Sequence, residues 1–250
     1  MPEILSPASP SKSRATQIGL VLAGLGVVLL AIGVYLGLFV SPPDAHMGNV
    51  VRILYVHVPT AVSTLGTFTV AFVAALGFLW RPSWKFDGVL EASLEVGVLL
   101  ALMTCAQGSI WARPTWGVWW DWDPRLTTTA VMLFSFGGVL ALRYFVDDPV
   151  RRAMWSAVAT IVAYADVPVV HFSVRWWSSL HQKQLTGTSL PGPLKTPLML
   201  TFPGMLLLVS GFVVLRAKLA MRRRATELAP PPAAEPNPVA PTPEAVEGGR

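Results

Sequence analysis

The segment Trp116-Gly117-Val118-Trp119-Trp120-Asp121-Trp122-Asp123-Pro124-Arg125-Leu126-Thr127 lies between two apolar runs, about 93–112 and 125–146, each long enough to cross a bilayer. The segment therefore belongs at a membrane surface. Four of the ten tryptophans of the chain fall within it. An interfacial belt usually places single aromatic residues at helix ends. We interpret the cluster as a flat aromatic surface for a large planar ligand, with an enlarged belt as the alternative.

Composition places the whole chain in a membrane. Of its 250 residues, 53% are hydrophobic and 13% are charged, whereas soluble domains carry roughly 25% charged residues. A spanning helix needs about 20 apolar residues. The predicted fold is an all-α polytopic membrane protein, with six transmembrane helices in one bundle and an outer aromatic loop. The predicted spans are about 17–40, 53–80, 93–112, 125–146, 153–171 and 197–217.

The two ends of the chain differ from this central domain, which we place at 17–225. The stretch Ala229–Pro243 contains seven prolines and almost no large apolar residues, so it buries too little surface to offset the entropy of ordering. We predict a disordered N-terminal segment, 1–16, and a disordered Pro-rich tail, 226–250. The first span has an apolar core too long for a signal peptide, so we expect an uncleaved anchor.

Basic residues predict the orientation of the bundle. With both termini in the cytoplasm, 13 of the 19 lysines and arginines lie on the cytoplasmic side, as the positive-inside rule requires. His46, His57, His171, His181 and the tryptophan segment then lie on or near the outer side. We expect the functional groups to be there, and nothing chemically unusual on the cytoplasmic side.

Other function classes lack their motifs. The single cysteine, Cys105, lies in an apolar run, and no C-x-x-C or C-x-x-C-H is present, which excludes dithiol chemistry and covalent c-type haem in this chain. A phosphate-binding G-x-x-x-x-G-K-[ST] loop is also missing, so an ATP-driven step needs a partner. The net charge of +5 is dispersed around the spans, and we assign it to topology and not to nucleic-acid binding.

Several residues near the outer face are candidates for chemistry. His57 lies near the outer end of the second span, where ionisable groups are expensive, and His181 lies in the outer loop, about 172–196. Each is alternatively a hydrogen-bonding or solvated histidine. Asp123 is predicted to cap the fourth span, just before Pro124. Arg125 pairs either with a ligand carboxylate or with Asp121 or Asp123.

The tryptophan segment also carries a resemblance. The motif W-G-x-x-W-x-W-D, at 116–123, resembles the signature of the tryptophan-rich haem-handling membrane proteins of cytochrome c biogenesis. Further blocks are Tyr55–Pro59, Asp123-x-Arg125-Leu126-Thr127 and Val167–Gln182. With them, the chain is similar to the haem exporter protein C family of the cytochrome c maturation system. The similarity runs from about the first span to the last.

The resemblance implies a function and a site. A protein of this family binds haem b at the periplasmic face of the bacterial inner membrane and delivers it to a periplasmic haem chaperone, without being an enzyme. His57 and His181 match the positions of the two axial iron ligands. Four tryptophans are expected to cover the haem, and Arg125 to pair with a propionate. The tryptophans are Trp116, Trp119, Trp120 and Trp122; if the segment is helical, the first three share a side.

The resemblance also implies partners: the ATP-binding subunit and the permease subunit of an ABC-type complex, and a small single-span membrane subunit. Asp166, in the fifth span, is expected to make a packing hydrogen bond or to support a histidine. Two other classes stay open at this point. One is a permease for a small solute, with the Trp-rich loop as an external gate. The other is a membrane-embedded b-type cytochrome, which is weaker because histidine pairs at mid-membrane depth are missing.

Overall fold

The computed structural model describes residues 14–181 and 192–229, and this part of the chain is a single helical bundle. Helices α5 and α6 join at Ala165 and cross the membrane together, so seven helices form the six predicted spans. A π-helical turn, Leu36–Val40, extends α1, and a 3-10 turn, Asn49–Ile53, precedes α2. The helices are α1 Arg14–Tyr35, α2 Leu54–Trp80, α3 Trp84–Trp116, α4 Pro124–Phe145, α5 Pro149–Tyr164, α6 Asp166–Trp176 and α7 Gly192–Glu227.

The helices are longer than the apolar runs that predict them. Helix α3 begins at Trp84 and not near 93, α6 continues to Trp176, and α7 covers Gly192–Glu227 and not only 197–217. The predicted outer loop, 172–196, is shorter for the same reason. Apolar runs underestimate these helices because their ends carry charged residues, which are paired in the fold. The proposed terminal segments, 1–16 and 226–250, lie outside the described residues except for 14–16 and 226–229.

Helix α1 packs almost entirely on α7 through a row of buried glycines. Gly19, Gly26 and Gly33 repeat every seven residues along this face. A Cβ atom at Gly26 would lie 2.4 Å from the backbone nitrogen of Leu208 and 2.7 Å from the backbone oxygen of Gly204. Small residues let membrane helices approach this closely. The rest of α1 exposes apolar side chains, as a lipid-facing helix does.

The core lies between α2, α3, α4 and α5, and it fixes the alternating direction of the helices. Phe68 of α2 stacks on Phe136 of α4 with ring centroids 3.7 Å apart. The alternation brings the start of α2, the end of α3 and the start of α4 to one end of the bundle, with His57 and the tryptophan segment; we call this the histidine end. The opposite end is called the arginine end.

The arginine end contains a buried cluster of charges. Arg143 of α4 donates to Asp87 over 2.8 Å and to Glu91 over 2.6 Å, both on α3. Arg224 of α7 donates to the other oxygen of Asp87 over 2.9 Å. Ser156 of α5 accepts a further hydrogen bond from Arg143 over 2.9 Å. Breaking an ion pair this deeply buried by removing one partner is strongly destabilising. The cluster therefore holds together the four helices that supply its members, α3, α4, α5 and α7.

This cluster corrects the prediction that the arginine end, placed in the cytoplasm by charge, holds nothing chemically unusual. Its ion pairs join residues that lie 52 to 137 positions apart along the chain, and no local sequence pattern predicts that they meet. The cluster also explains why α7 is ordered through Glu227. That carboxylate binds Arg152 over 2.6 Å and Arg224 over 2.5 Å.

Candidate functional site

His57 lies in the first turn of α2, at the histidine end of the bundle, and is only 6% exposed. Its Nδ1 atom is buried and has no hydrogen-bond partner among the residues that the structure describes. The neighbouring helix approaches closely, since a Cβ atom at Gly108 of α3 would lie 3.5 Å from Cε1 of His57. Buried polar atoms without a partner are rare in proteins. This imidazole is therefore placed to bind something other than the rest of the described chain.

Trp111 of α3 connects the two predicted histidine ligands. Its ring lies edge-on to His57, with centroids 5.8 Å apart, and edge-on to His181, with centroids 6.2 Å apart. His57 and His181 are also close enough to interact electrostatically. The fold thus brings together two histidines that are 124 positions apart in sequence (181 − 57). Trp111 is not among the residues predicted from the sequence, because it lies inside an apolar span, just before the tryptophan segment.

Five more buried polar atoms at the histidine end have no hydrogen-bond partner in the described part of the chain. They are Nε of Arg52, Oε1 of Gln107, Nε1 of Trp111, Nε1 of Trp120 and Oγ1 of Thr127. These residues belong to the turn before α2, the last turns of α3, the first turn of α4 and the connection between α3 and α4. Unpaired groups in this number mark a region where a ligand or ordered water completes the hydrogen bonding.

Asp123 both caps α4 and holds the chain segment that carries His181. Its Oδ1 accepts the backbone N–H of Leu126 over 2.8 Å, which confirms the predicted cap, with Pro124 in the first helical position. Its Oδ2 accepts the backbone N–H of Leu180 over 2.9 Å and the hydroxyl of Ser179. The same hydroxyl accepts the backbone N–H of His181 over 3.0 Å. We call these contacts to 179–181 the Asp123 strap.

The ionised form of Asp123 is the one that the fold favours. Burial raises the pKa of this carboxyl, but hydrogen bonds from the Ser179 hydroxyl and from backbone N–H groups, first that of Leu126, outweigh the burial. The pKa therefore lies below its usual range. The strap is charged at every pH at which the protein is expected to work.

The tryptophan segment is not helical beyond Trp116, which corrects the arrangement expected for a helix. Gly117 has a φ of 80°, in the left-handed region, and ends α3. Trp116 and Trp120 are half-buried, whereas Trp119 is 61% exposed and Trp122 is 74% exposed. Trp120 and Trp122 meet edge to face, with ring centroids 5.7 Å apart. The segment thus has an inner pair and an outer pair of indoles.

Arg125 makes neither of the ion pairs proposed for it within the chain. Its Nη1 donates to the backbone carbonyl of Val170 over 2.7 Å and to that of His171 over 3.3 Å, both in α6. The alternative of pairing with Asp121 or Asp123 is not formed as a direct contact within the described residues, although Asp123 interacts with Arg125 electrostatically. Arg125 is close enough to His57 to interact electrostatically. A guanidinium has five N–H donors, so this one bridges α4 and α6 with donors to spare.

The other candidate residues lie beside this site. Along α6, His171 contacts Phe172, Phe172 stacks on Trp176 with ring centroids 5.5 Å apart, and Trp176 meets Trp177. These aromatic contacts run along α6 and not toward His181. His46 lies in the connection before α2, where its backbone N–H binds the side chain of Asp44 over 2.9 Å. The packing hydrogen bond predicted for Asp166 is not formed within the described residues.

The site suits a planar, apolar ligand that has a metal centre and acidic groups. Two imidazoles contact one buried indole, further indoles follow in the tryptophan segment at the same end of the bundle, and a guanidinium lies within electrostatic range of His57. An imidazole is an ordinary axial ligand of haem iron, and the unpaired Nδ1 of His57 fits such a role. Indole faces suit the apolar faces of a porphyrin. The residues present therefore fit haem, as cargo, at this end of the bundle.

Comparison with known proteins agrees with this chemistry. A family model described as heme exporter protein C matches residues 4–230. The heme exporter protein C of Haemophilus influenzae is 33% identical to this chain over 80% of this chain and 82% of its own length. The heme exporter protein C of Bradyrhizobium diazoefficiens is 37% identical over 71% of this chain and 69% of its own length. The relative in Escherichia coli K12 is 33% identical over 81% of this chain and 84% of its own length. The chain belongs to the heme exporter protein C family.

Proposed function

We propose that this protein binds haem b at the periplasmic face of the bacterial inner membrane and delivers it to a periplasmic haem chaperone during c-type cytochrome biogenesis. Membership of the heme exporter protein C family supports a role in haem handling for cytochrome c maturation. The observation that carries the proposal for this chain is the contact of both His57 and His181 with buried Trp111.

In this proposal, His57 and His181 supply the axial imidazoles. Trp116 and Trp120, the inner pair of the segment, cover part of the porphyrin, and the exposed pair, Trp119 and Trp122, faces the chaperone or the outer haem edge. A carrier must release its cargo, and a loop-borne ligand such as His181 leaves more easily than one held within a helix. The strap through Asp123 sets how firmly that loop is held.

Arg125 is proposed to pair with a haem propionate. Its Nη1 already binds the backbone of α6, which fixes the guanidinium and leaves further N–H groups for a carboxylate. Bidentate pairing of arginine with a carboxylate is among the strong charge-assisted contacts. Because the same side chain lies within electrostatic range of His57, iron and propionate would be positioned from one corner of the site.

The orientation and the partners belong to the same proposal. We propose that both termini and the arginine end lie in the cytoplasm and the histidine end in the periplasm, which the lysine and arginine distribution, 13 against 6, supports. We infer association with the ATP-binding and permease subunits of an ABC-type complex and with a small single-span subunit. In this proposal the chain works as a carrier and not as an enzyme, because the residues of the site would hold and orient haem b for delivery.

The test is a set of single alanine variants. His57→Ala and His181→Ala should each remove one axial ligand, abolish or alter the low-spin bis-imidazole spectrum of the purified protein, and stop c-type cytochrome assembly. His171→Ala is the matched control, because its ring contacts Phe172 of α6 and it is not one of the two proposed ligands. If both ligand variants keep a normal low-spin spectrum, the axial assignment is wrong. A colourless but transport-competent wild type would support the permease instead.

A further inference from the structure

A groove runs along the membrane-facing side of the bundle, and its lining includes none of the histidines. Helix α4 forms one wall, and α5 with the start of α6 forms the other; the groove has a volume of about 660 Å³. Most of its lining is small or apolar, including Gly138 of α4, Ala159 and Ala163 of α5, and Ala165 at the α5–α6 junction. Its lining residues lie near the middle of these spans, so the groove faces lipid at mid-bilayer depth.

Gly138 opens this groove without serving the packing of the chain itself. A Cβ atom there would meet nothing within 4 Å, whereas at Gly26 it would meet the backbone of α7. Glycine in a helix is less favourable than alanine by roughly 1 kcal/mol in host–guest systems. Where membrane helices meet, small residues let their backbones approach closely. The surface around Gly138 therefore has the shape of a helix-packing face with no helix on it.

Asp166 adds a chemical requirement to this shape. It lines the groove near the junction of α5 and α6, and its Oδ2 atom is buried without a hydrogen-bond partner among the described residues. Ionisable groups inside a membrane normally pair with one another or with backbone. Lipid acyl chains offer no donor. The occupant of the groove must therefore bring a hydrogen-bond donor to the level of Asp166.

We propose that the groove docks a transmembrane helix of a second polypeptide. That helix presents small residues to Gly138 and Ala163, and a Lys, Arg or hydroxyl or amide side chain to Asp166. A partner helix satisfies both requirements, close backbone approach and a donor at one depth, whereas lipid satisfies neither. The inference concerns a surface distinct from the haem site, and it stands whether or not His57 and His181 bind iron.

Photo-crosslinking tests the occupant directly. A photoreactive amino acid replaces Val162, a groove-lining residue of α5 that is 71% exposed, in cells, and the crosslinked peptide is sequenced by mass spectrometry. The control replaces Val27 of α1, which is 54% exposed and does not line the groove. The proposal expects a crosslink from 162, and not from 27, to a membrane-spanning segment of another polypeptide with a donor side chain within one turn. Crosslinks to lipid alone, to a second copy of this chain, or equally from both positions would overturn it.

A second measurement uses a defined probe, so that the result does not depend on a native partner. An apolar peptide helix with a small-residue face and one central Lys is reconstituted with the labelled full-length protein in phosphatidylcholine vesicles, and association is followed by energy transfer. Asp166→Leu should weaken association by about three- to eighteenfold, the range found for interhelical hydrogen bonds in membranes. Gly138→Leu should abolish it, and Gly137→Leu should not. Equal association of all four proteins, or none with the wild type, would refute the groove as a docking site.

Discussion

Replacing Asp123 with alanine should remove two functions of one carboxylate, the cap of α4 and the contacts to the segment that carries His181. The side chain caps α4 through Leu126 and holds the His181 segment through Ser179 and Leu180. Losing an aspartate cap costs about 1 kcal/mol, within a range of roughly 0.5–2. Each of the two strap hydrogen bonds, made to a charged acceptor, is worth about 1.5–3 kcal/mol. The variant therefore loses about 3–6 kcal/mol from the strap beyond the cap.

That loss should show first in haem retention, because the strap fixes the loop-borne ligand. Three kcal/mol corresponds to a factor of roughly 150 in an equilibrium, at about 1.4 kcal/mol per factor of ten. We expect purified Asp123→Ala to hold less haem per protein and to lose its bis-imidazole spectrum. Asp123→Asn should be intermediate, since asparagine is about as good a cap as aspartate but carries no charge.

The chain provides a matched control at the other end of the bundle. Asp148 caps α5 through the backbone N–H of Arg151 over 2.7 Å, again just before a proline, but holds no second segment. Asp148→Ala should thus cost only the cap, about 1 kcal/mol, with an unchanged haem spectrum. The assay is haem per unit of purified protein together with thermal stability. If Asp123→Ala and Asp148→Ala behave alike, or if Asp123→Ala keeps full haem occupancy, the strap does not position His181.

Three further results are expected. Because the pKa of Asp123 is lowered in the fold, its contribution to stability is present above the ordinary carboxyl pKa, about 3.9, and is lost as the pH falls through the lower, folded-state pKa. Haem loss near pH 6 in a spectroscopic titration would therefore have to arise from another group. A loss of stability near pH 6 that disappears in Asp123→Ala would contradict this prediction. The double variant Trp119→Ala with Trp122→Ala should lower haem occupancy or chaperone transfer at unchanged yield, because both rings are mostly exposed; lost yield with full occupancy would make them a membrane anchor. Arg143→Met should lower the free energy of unfolding by about 3–5 kcal/mol, because it leaves buried carboxylates without one of their partners. The yield of purified protein should fall, while the haem spectrum of the protein that folds should not change. Arg151→Met, at an exposed position, is the control, and equal yields of the two variants would show that the cluster is not structural.

Local sequence signals predicted the number of spans and the cap at Asp123, because each depends on consecutive residues. Apolar run length reports a spanning helix, and an aspartate before proline reports a helix start. The resemblance supplied His57 and His181, whose chemistry one sequence does not reveal. The neighbour that joins them, Trp111, has no local signal, because it lies in an ordinary apolar run. Its role depends on where three distant segments meet in space.

The lack of a local sequence signal also explains the two main corrections, which concern the tryptophan segment and the buried charge cluster. The tryptophan segment was compatible with a helix by composition, and only the left-handed backbone of Gly117 shows that α3 stops there. The charge cluster was invisible because Asp87, Arg143 and Arg224 belong to three different helices, each with its charge near an end. Counting charges by side predicts topology well, but it says nothing of which charges are buried against one another.

The pairing of α1 with α7 bears on how the chain is made. Of the six described spans, α1 is synthesised first and finds its main packing partner only in α7, which is synthesised last of the six, because the glycine face around Gly26 fits the backbone near Gly204 and Leu208. Until α7 is inserted, that glycine face has no α7 backbone to cover it. A chain cut short before α7 is therefore expected to leave this surface unpaired in the membrane, and burial of the glycine face reports that both helices have been made.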